Sequence, residues 1–255
     1  MSKIISIINQ KGGVGKTTTA VNLGAYLATL GKRVLLVDID PQANATSGLG
    51  IDHQNLDKGI YEALIGTSSL EQIVKHTIQE NFKIAPATIS LAGAGVELVN
   101  TENREFKLEQ ALRDIRNEYD YIIVDSPPSL GMLTINGLVA ADEILIPIQS
   151  EYYALEGLGH LLHTISLVQS GLKPELGILG AVITMYDSRN RLSKDVMNEL
   201  YQYFPNKVFR TVIPRSVKLA EAPSFGRSVL HYDSSSKGAR AYEKLAREVV
   251  DLEIS

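Results

Sequence analysis

Residues 4–18 read Ile4-Ile5-Ser6-Ile7-Ile8-Asn9-Gln10-Lys11-Gly12-Gly13-Val14-Gly15-Lys16-Thr17-Thr18. Four isoleucines among the first five residues are the pattern of a strand buried on both faces. Glycines at 12, 13 and 15 then interrupt the apolar run. Over 17–30, Ala20, Leu23, Leu27 and Leu30 recur at helical spacing, and Gly31 suits the C-terminal cap. The stretch therefore encodes strand, glycine-rich loop and helix in succession.

The same alternation continues outward. Strands are expected at Val34–Val37, Phe82–Ala85, Tyr121–Asp125, Ile144–Ile148 and Ile178–Met185, with a short one over 208–213. Helices are expected over 104–117, 154–170, 191–203 and 238–252. Short helices are expected within 57–75, where Ser68 and Glu71 make a capping-box pattern. Apolar runs of strand length alternating with helical periods predict an α/β fold: a mostly parallel, twisted sheet of six to eight strands with helices on both faces. No repeat or linker divides the chain, so one domain over 1–255 is expected.

Composition narrows the function. The chain has 255 residues, 44% hydrophobic and 21% charged, with a net charge of -4. It has no cysteine, which excludes a disulfide framework, a thiolate nucleophile and a cysteine-ligated metal or cluster. No apolar run reaches membrane-spanning length, and Met1-Ser2-Lys3-Ile4 lacks the layout of a signal peptide. A cytoplasmic protein is expected.

The loop carries phosphate chemistry. Gly15-Lys16-Thr17 matches the end of the P-loop pattern, while Gln10 stands where that pattern begins with glycine and Lys11 adds a second cation. Glycines let backbone N–H groups approach phosphates closely, and the helix beginning near Lys16 aims its positive end at the same point. Gly12, Gly13, Val14, Gly15 and Thr18 are the expected cradle, Lys16 the β/γ-phosphate ligand and the Thr17 hydroxyl an Mg2+ ligand. Asp125 at one strand end, and Asp38 and Asp40 at another, are expected to converge there as metal-site carboxylates. The fold expectation is thus a P-loop NTPase that uses Mg2+.

Lys11-Gly12-Gly13-Val14-Gly15-Lys16-Thr17-Thr18 is similar to the deviant Walker A motif of the ParA/MinD ATPases. Val37-Asp38-Ile39-Asp40-Pro41-Gln42 and Asp125-Ser126-Pro127-Pro128-Ser129-Leu130-Gly131 resemble their second motif and their Walker B and switch II. Glu151-Tyr152-Tyr153-Ala154-Leu155-Glu156-Gly157-Leu158 and the segment Ile213–Ser224 resemble the chromosomal ParA, or Soj, branch. Ala43, Ser126, Phe225 and Lys218 depart from the usual Gly, Cys, His and Arg.

The resemblance implies an ATP-dependent homodimer in which Lys11 reaches the partner's phosphates and Gly12 must stay small. It implies that Asp40 orients or activates the attacking water. Met185, Pro214 and Arg215 would flank the adenine. It further implies nonspecific binding of double-stranded DNA, with a ParB-type centromere-binding partner stimulating hydrolysis, and a nucleoid-associated location.

Charge distribution agrees with a polyanion partner. Residues 184–240 hold ten Lys and Arg against five Asp and Glu, an excess of +5 that leaves -9 for the remainder. Arg189 and Lys218 match family positions for DNA contact, with Arg191 and Arg227 as further candidates. A membrane-cycling relative of the MinD type would instead need a C-terminal helix with a basic polar face. Here Glu243–Arg247, Lys244–Glu248 and Arg247–Asp251 alternate in sign, so no membrane partner is expected.

Overall fold

The computed structural model describes residues 2–151 and 156–252. Seven strands form one sheet: β1 Lys3–Ile7, β2 Val34–Asp38, β3 Lys75–His76, β4 Phe82–Ala85, β5 Tyr121–Asp125, β6 Glu143–Gln149 and β7 Gly177–Thr184. Their order is β3-β4-β2-β5-β1-β6-β7. Every pairing is parallel except the two-residue β3 against β4. The α/β expectation holds. Tyr152, Tyr153, Ala154 and Leu155, and the start of the helix expected from 154, lie outside the described residues; that helix is described over Glu156–Gly171.

The sheet buries both faces. Ile4, Leu35, Ile122 and Ile144 pack to one side, against a core that includes Leu138, Leu161 and Leu200 of helices Met132–Ala140, Glu156–Gly171 and Arg191–Tyr203. Ile5, Leu36, Ile123 and Leu145 pack to the other, with helices Lys16–Thr29 and Lys237–Asp251. Those two helices are also joined by a Thr19–Tyr242 hydroxyl hydrogen bond of 3.1 Å. Because β1 and β5 are adjacent and in register, the ends of β1, β2 and β5 open onto one edge.

Several local expectations fail for identifiable reasons. Residues 208–213 are not a strand: bridges at Val208 and Pro214, and the Ile213 N–H on the Ile183 carbonyl (2.8 Å), tie the segment to the β7 side. Between them Glu248 of the C-terminal helix accepts the N–H groups of Arg210 (2.7 Å) and Thr211 (3.1 Å). The region 104–117 holds one helix, Lys107–Leu112, with 3-10 turns at Arg104–Phe106 and Arg116–Glu118. There the Asn136 side chain intrudes, accepting from Leu108 N–H and donating to the Arg104 carbonyl. Ser68 caps nothing, since its helix begins at Leu70 and its hydroxyl is buried without a partner among the described residues. Glu62 instead accepts the Gly59 N–H at 2.7 Å.

Candidate nucleotide site

The loop after β1 is held from below. Asn9 donates to the Pro147 carbonyl (2.8 Å) and accepts the Lys11 N–H (3.0 Å), tying the loop entrance to β6. The Thr184 hydroxyl at the end of β7 donates to the Val14 carbonyl at 2.8 Å. Gly13 and Gly15 have φ of 75° and 89°, which a side chain would disfavour, and Gly15 leads directly into the helix at Lys16. The loop thus presents a fixed N-terminal helix end to the cavity, the geometry of a phosphate site.

Lys16 is buried, and its ammonium donates to the Lys11 carbonyl at 3.1 Å. Burial pulls its pKa down, while Asp125 and Asp40 pull it up. Lys11 takes a different path. Its side chain is 35% exposed and its ammonium lies 3.9 Å from Glu151, which is also 3.5 Å from Arg215.

The carboxylates have distinct surroundings. Asp38 is buried with its acceptors engaged: Oδ1 takes the Asp40 N–H (3.1 Å), and Oδ2 takes both the N–H (2.9 Å) and hydroxyl (2.7 Å) of Thr46. Burial still pushes its pKa up to about 6 against those bonds. Asp40 is buried and accepts the Gln42 N–H at 3.0 Å.

Asp125 is buried with neither carboxylate oxygen hydrogen bonded among the described residues. Burial and then Asp38 raise its pKa well above the usual range; the Thr17 hydroxyl approaches closely enough to oppose this without closing a hydrogen bond. An unpaired buried carboxylate beside a lysine and a threonine hydroxyl fits a hard cation held jointly with phosphate oxygens. The three aspartates lie near one another and near Lys16, but among the described residues no three such side chains are placed to hold a metal ion between them, and Asp38 is already engaged by Thr46 and Asp40.

Two adjoining cavities flank the loop. One of about 400 Å³ is lined by Gly12, Lys16, Thr17, Asp40, Pro128 and Arg227, among others. The second, about 200 Å³, is lined by Thr18, Met185, Pro214, Arg215, Leu219 and Tyr242, among others. Met185, Pro214 and Arg215 therefore line one cavity together. Met185 has a φ of 52°, with its carbonyl held by the Ser150 hydroxyl. Ala43 has a φ of 50°, which gives a physical reason for the glycine usual there. The rims touch at a second point: Gly50 and Gly226 both have positive φ, and a Cβ on Gly226 would lie 2.6 Å from the Gly50 Cα.

Three of the four expected DNA-contact residues are paired with nearby acids. Arg189 is 88% exposed but forks onto Asp187 (2.8 and 3.0 Å). Arg191 lies 3.9 Å from Asp195, and Lys218 is paired with Glu221 at 2.9 Å. Arg227 lines the phosphate-loop cavity. Sequence reading missed Thr46 and Thr184, whose roles depend on contacts across the fold with Asp38 and Val14.

A family model described as an AAA domain matches residues 2–178. The chain is 56% identical over 249 residues to the sporulation initiation inhibitor protein Soj of Bacillus subtilis, covering 98% of each. It is 53% identical to the chromosome partitioning protein ParA of Myxococcus xanthus, covering 98% of this chain and 88% of that one. The chain belongs to the ParA/Soj family of chromosome-partitioning ATPases. Solved structures of ParA/Soj-like architecture agree. Cobyrinic acid a,c-diamide synthase from Mycobacterium smegmatis, with bound ADP and magnesium, superposes with a TM-score of 0.89 at 38% identity, covering 100% of this chain and 96% of that one. The septum site-determining protein MinD of Pyrococcus horikoshii, complexed with Mg-ADP, gives 0.77 at 28% identity, covering 99% and 98%. Among the described residues no helix is long and apolar enough to cross a membrane.

Proposed function

We propose that this ATPase works as an ATP-dependent sandwich dimer that binds double-stranded DNA without sequence preference. A ParB-type partner stimulates hydrolysis and releases it, so that cycles of capture and release on the nucleoid separate chromosomal origins or plasmids. The observation that carries the reading is the division of labour between two lysines of one loop. Lys16 is buried beneath the phosphate site, while Lys11 projects from the rim toward Glu151. A half-exposed rim cation, held here by a long ion pair to Glu151, can swing to neutralise the phosphates of a facing subunit, where charge develops during phosphoryl transfer.

In this reading the loop N–H groups and Lys16 bind the phosphates of ATP. Thr17 and Asp125 hold Mg2+, which neutralises phosphate charge when bound. Asp40 orients the attacking water from the cavity wall. Asp38 positions Asp40 through the latter's N–H rather than touching the metal. Met185, Pro214 and Arg215 receive the adenine. Arg189, Lys218 and Arg191 contribute phosphate contacts to DNA, and Arg227 serves the nucleotide.

Retention on random-sequence duplex DNA, measured with ADP, ATP and a non-hydrolysable ATP analogue, tests the cycle. Retention with ATP and the analogue but not ADP is expected. Equal retention in all three states would refute nucleotide control.

A further inference from the structure

A second group of cations lies on the C-terminal helix and the segment beside it. Arg210, Lys237, Arg240 and Lys244 line an open cleft of about 530 Å³, together with Thr211, Val212, Pro214 and Ala241. No acidic side chain lines it. Lys237, Arg240 and Lys244 share one face of the C-terminal helix at spacings of three and four residues, spanning ~10 Å. Arg210 faces them from the segment that runs beside β7.

We infer that this cleft is a phosphodiester-binding surface for duplex DNA; the inference rests on the proposal that the protein binds DNA and assigns part of the contact to a site outside the Arg189 region. All four cations are exposed, and none makes an ion pair among the described residues. The contrast with Arg189, Arg191 and Lys218 is direct, since each of those is already paired with its own carboxylate. Glu248, one helical turn after Lys244, accepts the Arg210 and Thr211 N–H groups with its two oxygens and does not line the cleft. The same two hydrogen bonds fix Arg210 opposite the helix. Lys237 opens the fifteen-residue helix, so the positive end of its dipole adds to the potential at that end of the cleft.

The lining chooses among polyanions. None of the exposed large apolar side chains lines the cleft, so it lacks what an interfacial helix would insert into a bilayer. No aromatic ring lines it, so it lacks the stacking platform of a single-strand binder. Clustered cations without either feature suit the backbone of a duplex, read without sequence. Pro214 lines both this cleft and the base pocket, so nucleotide and cleft share one segment.

The test is a salt titration of binding to a random-sequence duplex with the non-hydrolysable ATP analogue, comparing wild type, Arg240→Ala/Lys244→Ala and Arg189→Glu. Each phosphate contact removed lowers the slope of log K against log salt by about 0.9, so the double variant should lose about 2 from the slope and bind at least ~10-fold more weakly near physiological salt. Its thermal midpoint should match wild type, because both side chains are exposed and unpaired. An unchanged slope and affinity in the double variant, with Arg189→Glu alone abolishing binding, would overturn the inference and leave the DNA-binding proposal standing. Failure of wild type to bind any duplex would overturn both. Pelleting with phosphatidylglycerol vesicles that the double variant loses, while its DNA binding is unchanged, would assign the cleft to lipid and also overturn the inference.

Discussion

Asp38 and Asp125 are direct neighbours in register across β2 and β5, both buried; Asp38 accepts three hydrogen bonds, while the Asp125 oxygens accept none among the described residues. The asymmetry separates a carboxylate that builds the site from one left for a ligand to satisfy. Buried polar groups without partners are uncommon, and a charged one is costly.

That cost gives a pH dependence. Both carboxyl groups titrate above their unfolded value of 3.8, Asp38 at about 6. Above pH 4 the folded chain therefore holds protons that the unfolded chain has lost, so the ligand-free protein loses stability as pH rises through those folded values. Asp125→Asn should remove its share. Thermal midpoints from pH 5 to 8, without nucleotide or Mg2+, should fall less steeply in the variant and end higher at pH 8. Parallel curves would refute the assignment.

Asp40→Ala should leave the fold and ATP binding intact, since its one side-chain hydrogen bond is local, to Gln42 N–H. Hydrolysis should fall by 10²-fold or more, the usual scale for a residue assisting proton transfer or water placement. ATP-dependent DNA retention should persist and become insensitive to stimulation. Failure of the variant to dimerise with ATP would remove the role given to Asp40.

Gly12→Val separates constraints within the chain from those outside it. A Cβ at Gly12 would meet only the Pro128 Cβ, at 4.0 Å, and its φ is not in the left-handed region. The monomer should therefore tolerate valine with a thermal midpoint close to wild type. Light scattering with ATP should show loss of the dimer, where backbones approach. A variant that unfolds would place the constraint inside the protomer instead.

Gly226→Ala meets backbone rather than a movable side chain, at 2.6 Å from the Gly50 Cα and at positive φ. A loss of ~2 kcal/mol or more is expected in denaturant unfolding. Nucleotide affinity should weaken with it, because Gly48 and Arg227, close in sequence to the two glycines, line the phosphate-loop cavity. Unchanged stability would show that the two rims can separate freely.

Much of the site was legible because its chemistry is local. The loop from Lys11 to Thr18 is contiguous, and buried strands announce where Asp38 and Asp125 must end. What was illegible depends on distant side chains. Nothing near Thr46 signals that it caps Asp38 and also accepts the Ala87 N–H at 3.0 Å. Periodicity over 104–117 gave no sign of Asn136, and none over 208–213 of Glu248. The charge excess in 184–240 was real as a sum. It could not reveal that Arg189, Arg191 and Lys218 are matched by nearby acids while Arg240 is not.

The capture of two amides by Glu248 also bears on how the folded protein avoids its own kind. β7 is the last strand of the sheet, and the segment beside it, 207–214, runs along that border. A regular eighth strand there would offer a continuous row of unpaired amides and carbonyls, a template for edge-to-edge association between copies. By drawing the Arg210 and Thr211 amides onto a helix, Glu248 interrupts the row, and the flanking cations repel a like edge. Copies of the protein can therefore crowd together without polymerising through their sheets.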